Sequence, residues 1–254
     1  MRSVILACAA IGVSAVVLTA DQQGGAASAA IPKRDISGVW LGASAVPPLE
    51  PTAPMTPRGQ ALFNATKPTY GPRAVPVVET NDPLSTCDPL GFPRIITHET
   101  RGMEFIQTPT KVIELLLFQR VWRDIWTDGR PLPKDVGGTS PNSPDVRRYG
   151  YSIGRWEDDF TFLVTTTGAM ETSWGSQHGH PHGLHAVVEE RYRRTAPGLL
   201  ETIVAINDPE MYQRPFVAIK QVFKRGTELD EQLCVPSEMQ QYIELLGKPA
   251  GQKK

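Results

Sequence analysis

From residue 103 to residue 224 the sequence is a succession of short segments rich in β-branched and aromatic residues, each ended by turn formers. Residues 103–107, 111–118 and 120–127 come first, with Thr108-Pro109-Thr110 and Asp128-Gly129 as turns, and predict a three-stranded antiparallel meander. A loop over 132–147, heavy in Pro, Gly and Ser, precedes a strand at 149–156, and Glu157-Asp158-Asp159 then turns the chain into 160–166. Residues 187–194, 199–207 and 215–224 supply three more, and an opening strand is expected over 35–42. Short strands joined mostly by tight turns bury their apolar faces best by closing on themselves or by stacking as two sheets. The expectation is an all-β antiparallel barrel, because consecutive hairpins need no crossover, with a two-sheet β-sandwich as the alternative.

The rest of the chain divides around these strands. Residues 1–29 combine Arg2, an apolar stretch from Val4 to Thr19 and the small-x-small Ala27-Ser28-Ala29, the pattern of a secretory signal peptide. That stretch is too short for a comfortable membrane span, so none is expected in the mature chain, which is placed in the periplasm or outside the cell. Residues 30–93 carry much of the excess of 23 prolines and read as an arm wrapping the outside of the fold. Within the arm, Thr56 and Pro57 cap a short helix through Asn64. Residues 94–254 form the barrel and end in a helix over 236–246. If Cys8 leaves with the signal, Cys87 and Cys234 remain as an even pair in an oxidising compartment, and a disulfide between them is expected.

The 26 Lys+Arg and 27 Asp+Glu leave a formal net charge of -1 and no basic field to draw in nucleic acid or anionic membrane. A Walker loop, a dinucleotide fingerprint, Gly-x-Ser-x-Gly, His-Glu-x-x-His and paired Cys-x-x-Cys are all absent, so no cofactor is expected.

Three stretches carry candidate chemistry. Residues 174–185 hold four of the five histidines. His178, His180 and His182 alternate and converge if the chain is extended, which would suit a transition metal; without one, His182 and His180 are candidate acid–base groups. In residues 186–194, alternation sends Glu190 and Tyr192 to one face and Glu189, Arg191 and Arg193 to the other. Glu190 and Arg191 are candidates to share a proton and to stabilise negative charge. Arg120, Trp122, Asp124 and Trp126 share a face, and with Tyr149, Tyr151 and Trp174 they offer an aromatic wall interleaved with polar groups.

Residues 87–94 (Cys-Asp-Pro-Leu-Gly-Phe-Pro-Arg), 126–130 (Trp-Thr-Asp-Gly-Arg), 154–159 (Gly-Arg-Trp-Glu-Asp-Asp), 189–192 (Glu-Glu-Arg-Tyr) and Asp208-Pro209 together resemble a set of exported bacterial proteins with a Gly-Arg-Trp-Glu-x-Asp signature. The resemblance implies export and a shared, lipocalin-like fold. In such proteins the Trp matching Trp174 is commonly followed by Leu-Asp, where this chain has Gly175-Ser176, and a Pro-His-Ser matches Pro181-His182-Gly183. The functional expectation is a lumen that holds a small aromatic or glycoside-like molecule. Either a cofactor-independent lyase, isomerase or hydrolase works there through His182 and Glu190, or the barrel is a carrier without chemistry.

Overall fold

The computed structural model describes residues 30–42, 53–97 and 102–245. The expected export signal lies outside these residues. Nine strands close into one barrel in chain order: β1 (Gly38–Leu41), β2 (Gly102–Gln107), β3 (Lys111–Leu116), β4 (Val121–Trp126), β5 (Tyr151–Trp156), β6 (Thr161–Thr167), β7 (Val187–Ala196), β8 (Leu199–Asn207) and β9 (Phe216–Arg225). The barrel is the fold and the sandwich is not.

Period-two burial explains why these segments are strands. Along β7, Val188, Glu190, Tyr192 and Arg194 are buried while Glu189, Arg191 and Arg193 are exposed. On β3, Val112, Glu114 and Leu116 point inward. Trp40, Phe105, Ile125, Phe162 and Phe223 fill the interior, each contributing about 1.5–3 kcal/mol from removal of apolar surface from water. The lumen is therefore packed with side chains.

Turn chemistry fixes the register. Between β3 and β4, Gln119 and Arg120 both take left-handed backbone angles (φ 57° and 49°), as a tight hairpin requires. Between β5 and β6, Asp158 Oδ1 accepts the amide N–H groups of Phe160 and Thr161, both at 2.7 Å. Gly154 is required at its place because a Cβ there would stand 2.4 Å from the Phe162 ring.

One junction departs from the antiparallel expectation. β4 and β5 run parallel and pair only through Ile125 with Ser152 and Trp126 with Ile153. Parallel neighbours need a long return, and residues 127–150 supply it. All other neighbouring strands are antiparallel.

The arm begins as expected. Helix α1 (Pro57–Ala65) has Thr56 as its N-cap, accepting from the Gly59 N–H at 3.1 Å, and Pro57 in its first turn. Its far end does not wrap the outside. Residues 90–97, including the short helix α2 (Arg94–Thr97), are buried, and Phe92 lies under the Arg123 guanidinium, 4.7 Å from ring centroid to Cζ. Leu90, Phe92, Ile95 and Ile96 make this inward turn favourable. Arg94 enters the core because Asp82 pairs with it through two bonds of 2.6 Å.

Cys87 and Cys234 form a disulfide that joins the arm to the segment before helix α3 (Pro236–Leu245) across 147 positions. Among the described residues no helix is long and apolar enough to cross a membrane. Closing so long a loop stabilises by roughly 5 kcal/mol on the chain-entropy model, and measured values are usually about 2–4 kcal/mol. Urea unfolding with and without reductant should show a loss in that range, and an unchanged midpoint after verified reduction would contradict it.

Candidate functional site

The centre of the barrel is charged. Glu114 and Arg123 face each other across β3 and β4, and Glu190 reaches the same guanidinium from β7. Arg123 Nε donates to Glu114 Oε2 and its Nη2 donates to Glu190 Oε2. Its Nη1 donates to Thr166 Oγ1 at 3.3 Å and to Ser152 Oγ at 3.5 Å. The Tyr192 hydroxyl donates to Glu190 Oε2 at 2.6 Å and stands 3.3 Å from Glu114 Oε1. Glu114 and Glu190 have no exposed surface, and Glu190 Oε1 is buried with no hydrogen-bond partner in the protein.

Electrostatics follow from that enclosure. Burial raises the Glu114 pKa; Arg123 opposes this rise and Glu190 adds to it. Burial works against the charge on Arg123, yet the two carboxylates hold it charged and raise its pKa. Tyr192 is pushed well up, by burial first and then by both glutamates, and stays a phenol.

Beside this cluster the seam between β4 and β5 opens into a cleft of about 400 Å3. The strands pair through only two residues there, and Gly150, at φ 65°, turns the incoming chain. Trp122, Trp126, Tyr149 and Tyr151 line the cleft, so four of the expected aromatic-wall residues do meet around one space. They meet on the outer side of the barrel. Trp122 is 65% exposed, while Arg123 and Ser152 belong to both the cleft lining and the central cluster.

The cleft's charges are mostly guanidinium. Arg123, Arg130, Arg147 and Arg148 line it with Asp124 as the carboxylate. Asp124 is held by Lys111 at 2.9 Å, and Arg130 by Asp128 at 2.6 Å. Arg130 stacks on Trp126 at 3.6 Å and Arg147 on Tyr151 at 4.2 Å. Among the described residues no carboxylate pairs with Arg147. The Tyr149 hydroxyl is buried without a hydrogen-bond partner. Burial raises its pKa to about 12, opposed by Arg148 and by the nearby Gly91 backbone, which stays outside hydrogen-bond geometry.

The other sequence candidates fall elsewhere. Arg120 sits in the β3–β4 turn, away from this cleft, and lines a separate hollow of about 220 Å3. Trp174 is buried with the Arg94 guanidinium 5.1 Å from its ring. Arg191 lies on the outer face and pairs with Glu157.

The three histidines are neighbours that do not converge on one point: the rings of His178 and His180 lie 6.1 Å apart, and His180 and His182 border one small hollow. His182 is buried, with Nε2 2.9 Å from Ser173 Oγ, and the carboxylates that act on it are Asp208 and Glu171. It belongs to a different hydrogen-bond network from Glu190. His180 stacks on Phe63 at 5.0 Å with Nδ1 2.6 Å from Ser176 Oγ, and His178 packs against Gly71. The alternative metal set of His178, His180 and His182 does not assemble: among the described residues no three His, Cys, Asp or Glu side chains converge as a metal site. The reason is local: residues 174–186 form turns and irregular chain with no strand among them.

Sequence reasoning missed Glu114, Arg123 and Ser152. A signal existed: Glu114 alternates in step with Val112 and Leu116 in an otherwise apolar strand, so parity alone puts a carboxylate on the inward face. Comparisons with protein families, with curated proteins and with solved structures give no match.

Two outcomes follow from the orphan phenol and the buried imidazoles. Tyr149→Phe should leave ligand-free stability unchanged or raise it by up to about 1 kcal/mol, because a buried hydroxyl without a partner is removed; a clear destabilisation in urea would refute this. Burial lowers the pKa of His180 to about 4 from 6.5, with His178 and Arg73 adding to the effect. Between these values the unfolded chain binds the extra proton, so His180 makes stability rise with pH from about 4 to 6.5. His180→Gln should flatten that segment of the stability–pH curve.

Proposed function

We propose that this protein is exported and binds a small carboxylic acid, aromatic or glycoside-derived, in the cleft between β4 and β5. The observation that carries the reading is Arg147, stacked on Tyr151 beside Trp122 and Trp126 and paired with no carboxylate among the described residues. Planar guanidinium recognises carboxylate, and Trp and Tyr faces take aromatic or sugar rings. The packed lumen favours this cleft over the barrel interior as the binding place. The N-terminal pattern and the Cys87–Cys234 bridge support export to an oxidising compartment.

A second reading, cofactor-independent acid–base chemistry, has one observation in its favour: Arg123 and Ser152 connect the cleft to the buried glutamates. In that reading Glu190 and Glu114 take the place of the His182–Glu190 pair.

Trp122 and Trp126 make the binding test direct. Titration with benzoate and a hexuronate, against benzyl alcohol and the neutral sugar, should change Trp fluorescence for the acids only. Arg147→Ala should weaken acid binding by about tenfold or more, the size of a lost hydrogen bond to a charged group. Equal affinity for acid and neutral analogue would sink the reading.

A further inference from the structure

The central cluster holds two carboxylates, one guanidinium and one phenol, and among the described residues nothing else charged or titratable faces Glu114: β3 gives Glu114, β4 Arg123, and β7 Glu190 and Tyr192. β5 and β6 contribute only the hydroxyls of Ser152 and Thr166, and the arm contributes Phe92. One cation neutralises one anion, and a second carboxylate charge with no exposed surface would stand uncompensated in the interior.

Hydrogen bonding points the same way. Tyr192 has one proton and gives it to Glu190 Oε2 at 2.6 Å, so its 3.3 Å approach to Glu114 Oε1 is satisfied when Glu114 carries a proton and donates to the phenol oxygen. We propose that Glu114 and Glu190 hold one proton between them at neutral pH, and that this shared proton governs how strongly the adjoining cleft attracts an anion.

The sign follows from charge. With the proton in place the cluster is neutral overall; once it leaves, the cluster carries a net negative charge directly behind Arg123, and an anion in the cleft is repelled. Anion affinity therefore falls as pH rises through the titration of the pair, by at most about tenfold per pH unit for one coupled proton, and binding in that range takes up a proton. This coupling rests on the anion-binding reading of the cleft; the shared proton does not.

Infrared spectroscopy of the full chain tests the proton without a ligand. The unmodified protein should show a protonated-carboxyl C=O band at neutral pH that fades on alkaline titration. Glu114→Gln should abolish it by removing one carboxyl. Glu190→Gln should abolish it too, because Glu114 then has Arg123 to itself and ionises. No band in the unmodified protein overturns the proposal, and a band that survives Glu190→Gln shows a proton fixed on Glu114 and overturns sharing. Benzoate affinity followed over the same pH range should fall in the unmodified protein and stay level in Glu114→Gln. A level profile in the unmodified protein, or the same slope in both, overturns the coupling. Failure of benzoate and the hexuronate to bind at any pH counts against the cleft reading, and the infrared result then decides the shared proton alone.

Discussion

The contact of Arg123 with Glu114 and Glu190 sets the terms for the rest of the molecule. A guanidinium at the centre of a packed barrel must be compensated from several directions, and it draws on β3, β5, β6 and β7 for that purpose. It also needs a cover that excludes water without competing for its donors, which the face of Phe92 provides. The inward turn of residues 90–97 is thus the counterpart of the buried charge: apolar side chains close over the cluster, and Asp82 neutralises the one arginine carried in with them. Pairs of this kind add little net stability, but a removed partner leaves a stranded charge costing about 3–5 kcal/mol. That asymmetry ties the arm, the barrel and the seam beside β4 to one arrangement.

Much of the fold was legible because strands declare themselves by parity. The boundaries of β7, β8 and β9, the α1 cap at Thr56 and the C-terminal helix follow from side-chain period and capping chemistry, which are local. The parallel pairing of β4 with β5 was not legible, because it depends on where a long loop delivers the chain. The expectation of an outer arm departs from the structure at residues 90–93, which are buried, because proline density speaks for irregular backbone, not for exposure.

The site was legible in half. Parity correctly grouped Trp122 with Trp126 but does not say which face of a strand lies inside, and the tryptophans drew attention to the outer one. Arg123, between them, was the inward residue. The histidines misled for a related reason: two-residue spacing aligns side chains only in extended chain, and residues 174–186 contain no strand.

The ring is completed by β1 meeting β9, through Trp40 with Arg225 and Leu41 with Lys224. A pairing between the first strand and the last gives the fold a high contact order, so the slowest contact to form is also the one that turns an open, curling sheet into a barrel. Until the end of β9 is available the sheet has two free edges along their whole length; afterwards the unpaired stretches are those beside the short β4–β5 and β1–β9 pairings. Closure therefore separates a sheet that can pair with a neighbour along a whole edge from a ring that offers only short stretches of edge.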